Sequence, residues 1–137
     1  MKFVEAFNAL GYEVEAPRQD WSAEKADGVC VTLWNQEISK EGGLPYMDLW
    51  EHWPEGGEWQ SKPGNAKRIR HINRALNEFG GRVDVIFVSG NPGQSYENAE
   101  PWIVEKRQNR HWHITRFDRE GGNFRAEIAP ATKDEGQ

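Results

Sequence analysis

The chain has a single cysteine, Cys30, so no internal disulfide can form and no cysteine-based zinc framework is available. One unpaired thiol suits a reducing compartment, and a cytoplasmic location is the expectation. Long hydrophobic runs are also missing. Nothing approaches the ~20 apolar residues that a membrane-crossing helix needs. Met1-Lys2-Phe3-Val4-Glu5 turns acidic too early for a secretory leader, so no membrane partner is expected. Basic residues are not in excess either. A net charge of -5 argues against a protein that coats DNA through general phosphate neutralisation, while leaving room for a local basic face.

What the chain does have is tryptophan, seven in 137 residues. Each indole offers a large buried area from one position, and also a flat face for stacking on a ligand. The length suits one domain, expected over 1–129, with 130–137 as a flexible polar tail.

Phe3, Phe7 and Leu10 stand at helical spacing before Gly11, which predicts a short first helix. Tyr12 to Glu15 alternates like a strand, and Arg18 to Asp27 reads as a loop or bend. Val29 to Trp34 is a β-branched run after the Asp27-Gly28 turn pair, and Glu41-Gly42-Gly43 turns it back into Leu44 to Trp50. A Pro/Gly-punctuated loop leads to the clearest helix, capped at Asn65, striped by Ile69, Ile72, Leu76 and Phe79, and ended by Gly80-Gly81. Val83 to Val88 predicts a buried strand, Ser89 to Glu100 a loop, and strands follow at Trp102 to Lys106, His111 to Phe117 and Phe124 to Ile128. Strands and helices do not alternate regularly. The expected fold is α+β: a mostly antiparallel, curved or barrel-like sheet with one long helix and a short N-terminal helix.

Two features could carry function. Lys67, Arg68, Arg70, His71 and Arg74 crowd the first half of the long helix, where cations oppose the helix dipole. Arg68, Arg70 and His71 are the candidate phosphate-binding set; a solvated, ion-paired face is the alternative. Trp53 and Trp59 lie in the Pro/Gly-rich loop, Trp21 in another loop, and exposed loop aromatics often contact ligands. A base stacked by Trp21 with Trp53 or Trp59, its polar edge read by a carboxylate such as Glu37, is a familiar arrangement for unpaired bases. Core filling is the alternative for each ring, most of all for Trp34 and Trp112 inside strands.

Catalytic signatures are sparse. Asp27 and Glu37-Ile38-Ser39-Lys40 have the order of a PD-(D/E)xK nuclease core, but Lys40 stands three positions after Glu37, on the opposite face of a regular strand. His111 and His113 share a strand face, with His52 or Glu51 as a conceivable third ligand, but no spacing demands a metal. No cofactor is expected.

Arg18-Gln19-Asp20-Trp21-Ser22, Asp27-Gly28, Leu33-Trp34-Asn35-Gln36-Glu37 and Arg68-Ile69-Arg70-His71-Ile72 together resemble a family of small, largely uncharacterised bacterial proteins. That family carries R-x-x-W-S-W-G-A, D-G, a strand F-L-R-V-W-Q-D-E and an R-x-R-H-I helix start, and sometimes accompanies restriction-type nuclease domains. The resemblance spans roughly residues 15 to 90; Ala23 replaces the second Trp and Thr32 the strand Arg. It implies a DNA-related role, a PUA-like fold reading modified bases, and a nuclease partner protein. It points to Trp21, Trp34, Glu37, Arg68, Arg70 and His71.

The expected function is therefore a non-catalytic module binding DNA or RNA, or a modified base, through Trp21, Trp34, Glu37, Trp53 and Trp59. A metal-dependent nuclease or hydrolase, and a protein-interaction domain, are the alternatives.

Overall fold

The computed structural model describes residues 1–91 and 95–128. Helix α1 (Phe3–Ala9) stops where Gly11 takes a φ of 86°, a left-handed turn that glycine adopts without strain. Strands β1 (Ser22–Lys25) and β2 (Gly28–Trp34) form a hairpin, as do β3 (Ile38–Glu41) and β4 (Leu44–Asp48). A single helical turn, α2 (Leu49–His52), and a 3-10 turn over Glu58–Ser61 lead into α3 (Pro63–Glu78). Strands β5 (Arg82–Asn91), β6 (Ser95–Pro101), β7 (Trp112–Phe117) and β8 (Phe124–Ile128) complete the chain.

The strands make one open, curved sheet in the order β1-β2-β5-β7-β8-β4-β3, with β6 on β5. β5 serves two strands along one edge: its first residues, Arg82 and Val83, pair with β7, and Ile86 to Asn91 pair with β6. The β2–β5 pair is parallel, as a long connection carrying a helix permits; the other pairings are antiparallel. Alternation along β2 and β5 separates two cores. Val29, Val31, Leu33 and Val85 face α3 and join Ile72, Ala75, Trp112, Phe124 and Ile128, while Cys30, Ile86 and Val88 face α1 and pack on Ala6, Phe7 and Tyr12. The fold class is the one the sequence pattern predicts.

Several local expectations are corrected. Tyr12 to Glu15 forms no strand; Tyr12 is buried and donates a 2.6 Å hydrogen bond to Asp84 of β5, which holds the connector by a side chain instead of by backbone pairing. The polar stretch from Arg18 contains β1, buried by its pairing with β2 and its packing under α3. Ser89 to Glu100 is largely strand, and Trp102 to Lys106 is not: a 3-10 turn occupies Val104–Lys106. Helix α3 starts at Pro63, so Asn65 lies inside it and its amide donates to the carbonyls of Gln60 and Gly121. The buried stripe of α3 is also rotated from the expected one. Arg68, His71, Ile72 and Ala75 face inward, with Leu76 and Phe79 at the margin and Ile69 half-exposed. The expected tail, 130–137, lies outside the described residues.

Candidate functional site

The site begins with Trp21, at the entrance to β1. Its carbonyl accepts from the Thr32 amide at 3.1 Å and the Thr32 hydroxyl at 2.9 Å, pinning the backbone to β2. Its ring lies on the first turn of α3 at Gly64, where a Cβ would come within 2.6 Å of the indole. Glycine there lets the ring rest on the helix backbone. One helical turn on, Arg68 projects inward from the same face.

The Arg68 guanidinium is enclosed by three rings. Its central carbon lies 4.9 Å from the Trp21 ring, 4.9 Å from Phe124 of β8 and 5.5 Å from Trp59. The side chain is 8% exposed, its Nε has no hydrogen-bond partner, and no carboxylate makes an ion pair with it among the described residues. Burial pulls its pKa down to about 10, with the charge of Glu37 acting in the opposite direction. A cation stripped of water and lacking a full counter-charge is costly to hold, and the electron-rich ring faces offset part of that cost.

The charge of Glu37 opposes the effect of burial on this cation, and the Trp53 indole N–H donates to Glu37 Oε2 at 3.2 Å. Trp53 is 41% exposed and packs beside Trp59 around Gly57, where a Cβ would meet both rings. The buried Trp59 indole nitrogen and the side-chain oxygens of Asn65 and Asn123 also lack hydrogen-bond partners. They belong to the segments beside the cage: the 3-10 turn, the start of α3, and the approach to β8.

The sequence-selected residues divide cleanly. Trp21, Trp59 and Arg68 touch, and Glu37 and Trp53 join them at the rim. Trp34 lies with the α1-side core, stacked on Tyr96 at 5.3 Å. Arg70 is exposed on the opposite side of α3, and His71 is buried, its Nδ1 2.7 Å from the Ser22 hydroxyl and its Nε2 3.6 Å from Glu24. Arg68, Arg70 and His71 therefore do not converge on one surface phosphate. The rest of the basic helix face is ion-paired: Lys67 with Asp20 and Glu15, Arg74 with Glu24 and Glu78.

The inner faces of Trp21 and Trp59 are taken by the guanidinium, so a base cannot sit between those two rings as the sequence suggested.

Comparison with protein-family models, with curated proteins and with solved structures finds no match.

The other constellations resolve into structure. Ser22, His71 and Glu24 have the residue types of a hydrolytic triad, but Ser22 is fully buried, out of reach of a substrate carbonyl. Asp27 sits in the exposed β1–β2 turn, while Asp48 caps α2 through the Trp50 amide and pairs with Arg125 at 3.1 Å. Among the described residues no three His, Cys, Asp or Glu side chains come together as a metal group. Trp102 and Trp112 fill the core edge to face with Phe87. Arg107 of the second basic stretch stacks on Trp102 at 4.5 Å. Shallow clefts of about 180 Å³ beside Ile114 and Arg116 and about 260 Å³ beside Lys25 and Asp84 lie away from the cage.

Sequence reasoning missed Phe124. Phe124 had no local signal, because its role comes from a contact with Arg68 fifty-six positions earlier in the chain. Gly64 had a weak one: a glycine directly after the first proline of a helix is a poor helix former and needs another reason to be there.

Proposed function

We propose that this chain is a non-catalytic binding module that takes an unpaired or modified nucleobase of DNA or RNA at the Arg68 cage. The observation that carries the reading is Arg68 itself. A guanidinium that is more than nine-tenths buried, walled by Trp21, Trp59 and Phe124 and without an ion-pair partner among the described residues, is organised to give hydrogen bonds to a ligand. Structural arginines of this burial are normally closed by a carboxylate. Trp53 at the rim supplies the exposed ring on which a flat ligand stacks. The resemblance in the Trp21, Trp34-to-Glu37 and Arg68-to-Ile72 segments agrees with a DNA-related role.

The test is a titration of intrinsic tryptophan fluorescence with single- and double-stranded DNA, with and without cytosine modification, at two salt concentrations. Saturable quenching that is lost in Arg68→Met supports the reading. A signal unchanged by every nucleic acid moves the assignment to a protein partner.

A further inference from the structure

The cleft of about 180 Å³ beside β7 is lined by Leu76, Ile114, Thr115, Arg116, Phe117 and Arg119. Its only charges are the two arginines, and Leu76, Ile114 and Phe117 give it apolar walls. A cleft lined by one sign of charge between low-dielectric walls focuses its field on a counter-ion. The volume falls short of the ~300 Å³ at which pockets for drug-sized ligands begin, and suits one small charged group. Both arginines are exposed, and among the described residues neither has a carboxylate ion pair. Lys67, Arg74 and Arg125, by contrast, are each held by carboxylates. The Arg116 guanidinium lies 4.0 Å from the Trp50 ring, which steadies one face of the planar group and leaves its edge donors free. Neighbouring acceptors are turned away from the cleft. Asp118 closes the hairpin turn by accepting the amides of Glu120 at 3.0 Å and Gly121 at 3.1 Å, and Glu127 accepts from the Thr115 hydroxyl at 2.7 Å.

We propose that this cleft is an anion site in which Arg116 and Arg119 hold a phosphate group. The phosphate of a nucleic-acid backbone is the source that fits the binding-module reading, and that choice of source rests on the reading; free phosphate is the other source of the same chemistry. The site is separate from the cage but belongs to the same hairpin, since Phe117 at the cleft pairs across the strands with Phe124, a wall of the cage. Two guanidinium groups are well matched to a phosphate, because each offers N–H donors in a planar fork. They also supply what Arg68, Arg70 and His71 do not, cations that line one accessible cavity.

The experiment compares the full chain with the double variant Arg116→Gln/Arg119→Gln and with Arg70→Gln, an exposed arginine on α3 outside the cleft. Single-stranded oligonucleotide affinity is measured across a salt series, and inorganic phosphate is titrated while the Trp50 indole N–H signal is followed. The double variant is expected to flatten the slope of log affinity against log salt by about 0.7, the share of one phosphate on a single strand, and Arg70→Gln to leave it unchanged. Inorganic phosphate is expected to move the Trp50 signal in the wild type and not in the double variant. An oligonucleotide slope that is the same in wild type and double variant, or that flattens equally in Arg70→Gln, overturns the phosphate site and leaves the binding-module reading standing. A Trp50 response to inorganic phosphate that the double variant loses, with no binding of any oligonucleotide, keeps the site, makes free phosphate its ligand and overturns the nucleobase reading. No response to either ligand overturns both.

Discussion

Replacing Arg68 by methionine separates a residue kept for binding from one kept for stability. A folded-state pKa lowered to about 10 means the buried charge is held at a cost of roughly 3 kcal/mol. Three ring contacts return about 0.5 to 2 kcal/mol each, so the guanidinium comes out close to neutral for folding. Methionine keeps the length of the side chain, fills the same cage and makes its own sulfur–aromatic contacts without a desolvated charge. Arg68→Met is therefore expected to change stability by no more than about 1 kcal/mol, a Tm shift of about 3 to 5 °C in a chain of this size. Oligonucleotide affinity is expected to fall at least about tenfold, the usual loss when a charged hydrogen-bond donor is removed. Thermal melting followed by circular dichroism, beside a fluorescence titration, reads both quantities. A Tm drop beyond about 10 °C would show that the guanidinium is a paired structural ion, and the reasoning would fail.

His71 is held below its usual pKa, by burial first, with Glu24 opposing. A base whose folded pKa is depressed takes up protons more readily when unfolded, so its contribution is lost as pH falls from about 6.5. The urea midpoint is expected to fall between pH 7.5 and 5.5 in the wild type and to fall less in His71→Gln, measured by equilibrium denaturation. Gly64→Ala brings a methyl against the Gln19 carbonyl and the Trp21 ring; a loss of about 1 to 3 kcal/mol is expected, with a shifted Trp21 emission band. Cys30 is fully buried and burial pushes its thiol pKa up, so a thiol reagent is expected to label it only after denaturant unfolds the chain. Labelling at the native rate of a free thiol would contradict the placement of Cys30.

Much of the fold was legible because its strongest elements announce themselves locally. Val29 to Trp34 and Val83 to Val88 are β-branched runs, and α3 is bounded by Pro63 at its start and Gly80-Gly81 after its end. β1 and β6 were not legible. Ser22-Ala23-Glu24-Lys25 and Ser95 to Pro101 read as polar connectors, and they are strands because β2 and β5 offer them backbone partners. Edge strands owe their existence to neighbours, which a local pattern does not record. The rotation of α3 has a similar origin. The apolar stripe suggested that Ile69 points inward and Arg68 outward, but a charged side chain can face the interior when aromatic walls meet it. Those walls come from positions far apart, Trp21, Trp59 and Phe124, whose convergence no spacing reveals. Loop tryptophans and Glu37 were recognisable as unusual; of the eight selected residues Trp21, Trp59 and Arg68 meet at one point, and Glu37 is joined to the rim residue Trp53. Trp34, Arg70 and His71 belong elsewhere.

The seven indole N–H groups are separate reporters in a proton–nitrogen correlation spectrum, spread over the cage, the rim and the core. The most direct test of the caged-arginine site is to follow those signals as a single-stranded oligonucleotide is added. The Trp53, Trp59 and Trp21 signals are expected to move together and saturate, while Trp102 and Trp112, buried across the core, stay in place. Movement confined to Trp50, Trp102 or Trp112, or no movement at all, would contradict the assignment of the Arg68 cage as the binding site.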